Sequence, residues 1–129
     1  MAIDNKKAAI IYRLREISSR LDFNKHPFLY YLPKFLASEE YSMINPDHAV
    51  LFAEAALKHE KLPIMKDALL ILNRIVRPED GSFIEPSKEV FYENQHFVWA
   101  ELGGHTRPTD IISHIFNKIM FYINVGKNI

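Results

Sequence analysis

Glu93 and His96 stand at Glu-x-x-His spacing, one helical turn apart, the arrangement with which carboxylate-bridged di-iron bundles hold metal. Such a centre needs two copies of that motif and two more inward glutamates, whereas the chain carries it once. Glu93 and His96 are therefore the candidate metal ligands, and the expectation is a chain without a cofactor. A second constellation is Gly103-Gly104-His105-Thr106-Arg107, a turn that delivers His105 and Arg107 to the start of the last helix. Backbone amides there, with Arg107, could receive a carboxylate or phosphate, although Asp110 competes for the same helix end. A third is the basic series Lys6, Arg13 and Arg20, spaced by seven residues on one helical face and suited to tracking phosphates. No helix-turn-helix, zinc-finger or aromatic–basic RNA motif accompanies it, so nucleic acid is the less favoured partner.

Other chemistries are absent from the pattern. With no cysteine among its 129 residues, the chain has no disulfide, thiolate nucleophile or thiolate metal site. It lacks a Gly-x-Ser-x-Gly elbow, and Gly103-Gly104 is not followed by the Lys-Ser/Thr of a phosphate loop. Catalysis is not inferred.

The elements that must position these residues read as helices. Asp4 caps a first helix reaching Leu21, with Ile10, Leu14, Ile17 and Leu21 on one face. Pro27 and Pro33 predict two short helices near 27–31 and 33–37, within the densest aromatic stretch of the chain. Ser38 followed by Glu39 and Glu40 predicts another start. Asn45-Pro46-Asp47 predicts a helix whose stripe is Ala49, Phe52, Ala53, Ala56 and Leu57. Leu62-Pro63 restarts the chain into a helix lined by Ile64, Ala68, Ile71, Leu72 and Ile75, and the two read as an αα-hairpin. Pro78-Glu79-Asp80-Gly81 is turn chemistry and opens the main punctuation, residues 77–88. Residues 88–102 read as helix over hairpin. A last helix opens at Pro108 and runs to about Val125, apolar almost all round through Ile111, Ile112, Ile115, Phe116, Ile119, Met120 and Ile123.

These elements predict an all-α fold, a compact bundle of five to six helices with room for a short β element around residues 83–99. The domain expected is single, 1–129, with 77–88 as its internal boundary. The 16 basic and 16 acidic residues cancel, but unevenly: residues 1–25 carry a net +3 and residues 26–60 a net −3. The ends are thus expected to lie against the acidic middle. The polar amino terminus resembles no secretory leader, and apolar runs such as residues 68–72 fall far short of the roughly 20 residues a bilayer needs. A cytosolic chain that does not enter membranes is expected. The leading functional expectation is a small helical interaction module, binding a protein partner or a second copy through Phe28, Tyr31, Phe35, Trp99, Phe121 and Tyr122. The alternatives are a nucleic-acid accessory using the first helix and a His/Glu metal- or anion-binding enzyme.

Overall fold

A computed structural model describes residues 5–84, 96–97 and 107–127. Five α-helices are described: α1 (Asn5–Ser19), α2 (Pro27–Ala37), α3 (Pro46–Lys58), α4 (Pro63–Arg74) and α5 (Pro108–Lys127). A 3₁₀ turn, Glu39–Tyr41, links α2 to α3. The all-α class is thus as expected. No strand occurs among the described residues, where the β pairing reduces to one antiparallel bridge between Val76 and Phe83.

Local chemistry accounts for most boundaries. The Asn45 side chain accepts hydrogen bonds from the N–H groups of Asp47 and His48 at 2.9 and 3.4 Å, and Pro46 begins α3. Ser38 accepts the Glu40 N–H at the start of the 3₁₀ turn. The start of α2 has no local side-chain cap. Asn73 of α4 supplies one from a distance: its Oδ1 accepts the Phe28 N–H at 3.1 Å and its Nδ2 donates to the Lys25 carbonyl at 3.2 Å. Contrary to the two short pieces expected, α2 is one helix with Pro33 inside it. Phe28, Leu29, Leu32, Phe35 and Leu36 are buried on both sides of the proline, so one continuous apolar face spans it.

The helices close a ring. α1 packs on α2 and α3, α5 on α3 and α4, and α4 returns to α2. The expected αα-hairpin is therefore not a packing unit, because α3 packs mainly on α1 and α5, and α4 on α5 and α2, rather than on each other. At the centre meet Phe28 of α2, Phe52 of α3 and Phe116 of α5, all fully buried. Phe52 and Phe116 stack with centroids 4.7 Å apart, and Phe28 meets each edge-on at 6.4 and 6.1 Å. Each such ring is worth about 1.5–3 kcal/mol of burial and each pair about 0.5–1.5 kcal/mol more. Leu14, Ile17, Ile111, Ile112, Ile115 and Ile119 extend the same core.

The start of the 77–88 punctuation is part of the fold. The Arg77 N–H donates to the Ser82 carbonyl at 2.8 Å, and the Ile84 N–H donates to the Ile75 carbonyl at 2.8 Å. Phe83 then reaches back into an aromatic cluster, 4.6 Å from Phe35 and 4.9 Å from Tyr41.

Candidate functional site

α3 and α5 lie side by side with an open seam between them. Leu51, Ala55, Met120 and Ile123 floor a cavity of about 350 Å³, and His48, Glu54, Lys58 and His59 supply its polar rim. A second hollow of about 220 Å³ shares His48 and is lined further by Met43, Asn45, Ser113, Phe116 and Asn117. The helical register explains the lining. Ser113, Asn117 and Met120 recur at spacings of four and three along α5, beside the stripe that Ile112, Ile115 and Ile119 bury. His48, Leu51 and Ala55 do the same on α3. The seam stays open partly because Ala55 faces it with a single methyl group.

Apolar side chains crowd this face instead of withdrawing from it. Leu51 is 49% exposed, Met43 72% and Phe121 71%. Phe121 stands next to the cavity rather than in it, since a neighbour of Met120 in sequence is turned about 100° around the helix. Tyr122 is turned about as far again and lies on the other flank of α5, 45% exposed. Opposite charges share the rim, with Glu54 and Lys58 one turn apart on α3. Glu54 also accepts from Arg13 of α1 at 3.4 Å.

Of the residues expected to anchor a partner, Phe121 and Tyr122 are thus on the surface. Phe28 and Phe35 are a correction: both are fully buried in the core and offer a partner nothing to touch. Tyr31 is committed to the chain itself. Its hydroxyl donates to the Pro78 carbonyl at 2.7 Å, while Lys34 beside it donates to the Asp80 carbonyl at 2.7 Å. Loss of hydration among its neighbours, then Tyr30, Asp80 and Glu79, hold the Tyr31 phenol above its usual range. Asp80 is held below the usual carboxylate range, chiefly by hydrogen bonds from the Ser82 hydroxyl and N–H. Trp99 lies outside the described residues.

The basic series of α1 faces acids of α3. Lys6 pairs with Asp47 at 3.3 Å, and Arg13 with Glu54 and Glu16 at 3.4 Å each. Arg20 sits exposed just beyond the end of α1. Through Lys6–Asp47 and Arg13–Glu54, the acidic middle therefore meets the basic amino-terminal segment on the surface of the fold. These pairs are exposed and worth at most about 1 kcal/mol each.

The chemistry-bearing residues are only partly described. His96 is in place, and its Nδ1 lies 2.5 Å from the Asp67 carboxylate of α4. Lys118 of α5 donates to the His96 carbonyl and stands over the Phe97 ring, 5.2 Å from its centroid. Glu93 lies outside the described residues, and among those described no group of three His, Asp or Glu side chains could hold a metal ion. Arg107 is exposed at the start of α5, where its carbonyl accepts the Asp110 and Ile111 N–H groups at 3.1 and 3.2 Å; His105 lies outside the described residues, as do most of 88–102. Among the described residues no helix is long and apolar enough to cross a membrane.

Sequence reasoning missed the seam. Leu51 falls off the small-residue stripe of α3, and His48, Lys58 and His59 belong to no motif or spacing that would set them apart. The one legible signal was the surplus of apolar residues around α5. Asp67, 29 residues from His96, carries no local signal at all. Comparison with protein-family models, curated proteins and solved structures found no match.

Proposed function

We propose that the protein is a small helical protein-interaction module of the cytosol, which acts by docking a polypeptide on the α3–α5 face. The observation that supports this is Phe121, 71% exposed beside a cavity floored by Leu51, Ala55, Met120 and Ile123. A large exposed aromatic ring next to an apolar hollow with a polar rim is the arrangement that interface anchors favour. Helix-in-groove recognition uses the same geometry, with apolar side chains entering a groove between two helices.

The test compares the wild-type chain with a Leu51→Glu/Phe121→Glu variant. Both positions are exposed, so the variant is expected to keep its far-UV circular dichroism. The polypeptide retained by the wild type, another protein or another copy, should shield α3 and α5 from hydrogen exchange. The variant should lose both the polypeptide and the shielding. A wild-type chain that stays alone under all conditions, or a variant that binds unchanged, overturns the reading.

A further inference from the structure

We infer that the hollow between α1 and α2 is a second site, which takes a small phosphate monoester with a planar, hydroxyl-bearing organic part: a mononucleotide. This goes beyond the interaction-module reading and does not rest on it, since the hollow shares no residue with the α3–α5 cavity.

The register of two helices builds the site. Arg15 and Ser19 stand one turn apart on α1, while Tyr30, Pro33, Lys34 and Ala37 share one face of α2. With Ser18 and Tyr31 they line a hollow of about 500 Å³, a volume in the range of small-ligand sites.

Charge selects the sign of the ligand. Among the described residues, Arg15 from one wall and Lys34 from the other are the only charged side chains that line the hollow. Arg15 is exposed and enters none of the ion pairs among the described residues, so its planar fork of N–H donors is uncommitted. Lys34 gives one proton to the Asp80 carbonyl and keeps two. The acids nearby are already engaged, Glu16 by Arg13 and Asp80 by the Ser82 hydroxyl and N–H. Two cations on facing helices match the near-double charge of a phosphate monoester better than a single carboxylate.

Hydrogen bonding selects the rest of the ligand. The Ser18, Ser19 and Tyr31 hydroxyls donate to the Leu14, Glu16 and Pro78 carbonyls at 2.9, 2.7 and 2.7 Å. Their oxygens are left as acceptors, which a bare anion does not satisfy and which ribose hydroxyls do. Tyr30, 46% exposed, forms an apolar wall with Pro33 and Ala37, and a base gains contact against such a ring.

Calorimetry and amide chemical shifts of the full chain test this with four probes: adenosine monophosphate, ribose phosphate, adenosine and inorganic phosphate. The nucleotide should bind and move resonances of α1 and α2, and each of the others should bind at least about tenfold more weakly. Arg15→Gln should weaken nucleotide binding about tenfold or more, because it removes a charge-assisted contact, while circular dichroism stays unchanged. The Leu51→Glu/Phe121→Glu variant should bind the nucleotide as the wild type does, so the two sites stand or fall separately. A chain that binds no nucleotide at millimolar concentration overturns the inference, as does undiminished binding by Arg15→Gln or a set of shifts outside α1 and α2. Adenosine binding as tightly as the nucleotide removes the phosphate contact and overturns it too. Equal affinity for ribose phosphate overturns the nucleotide assignment in favour of a sugar phosphate.

Discussion

Gly81 shows how far a single residue can be tied to a distant one. Its φ is +74°, and a Cβ placed there would lie 2.5 Å from Cδ1 of Tyr31. The turn is held in that position by the Gly81 N–H to the Arg77 carbonyl, by Tyr31 on the Pro78 carbonyl and by Lys34 on the Asp80 carbonyl. Alanine must therefore adopt a left-handed conformation and push back a ring that is itself anchored. Gly81→Ala should destabilise the protein by roughly 2 kcal/mol or more, seen as a lower urea midpoint. A midpoint equal to that of the wild type would mean the turn does not bear on Tyr31. The turn was legible in Pro78–Gly81 itself. What it rests on was not, since Tyr31 is 47 residues away from Pro78 and read as a partner anchor. An exposed tyrosine and one that clamps a loop are indistinguishable until the loop is placed.

Among the elements, α2 departs most from local expectation. Proline inside a helix removes one backbone bond and crowds the carbonyl four residues before it, a penalty of about 3 kcal/mol. Local rules therefore break the chain at Pro33. The break does not occur because Phe28, Leu29, Leu32, Phe35 and Leu36 gain burial only if they share one face. Tertiary packing outweighs propensity here. Pro33→Ala should restore the bond and relieve the crowding while giving up roughly two buried methylenes, about 1.6 kcal/mol. The net expectation is a gain of about 1 kcal/mol in denaturant unfolding, and a loss would show that the ring's packing outweighs the backbone penalty. The other helices followed their sequence signals more faithfully, since Asn45-Pro46 and Leu62-Pro63 start where cap and proline place them. The pairing of α3 with α4 failed for a different reason. Short connections favour neighbours, yet α5 carries a wider apolar stripe and takes the space between them.

At the scale of the molecule, one core joins every described helix. Leu14 and Ile17 of α1, Phe28 of α2, Phe52 of α3, Ile71 of α4 and Phe116 of α5 belong to a single buried cluster, and Phe97 joins it. Stripes of the right period made those residues legible one helix at a time; the order in which the ring closes depends on which stripes fit each other, and periodicity does not encode that. The seam between α3 and α5 is a product of that closure, so it could not be read in advance. A shared core also bears on whether the chain is one domain or two halves joined at residues 77–88. Phe116 lies beyond that segment, while Phe28 and Phe52, which it touches, lie before it. If folding is one event, Phe116→Ala should remove about 3–5 kcal/mol from the whole molecule. Far-UV ellipticity and near-UV aromatic signals should then fall together at one lower midpoint. Two separate midpoints would instead divide the protein within 77–88 and make α5 a detachable element, with the α3–α5 face assembled only when it docks.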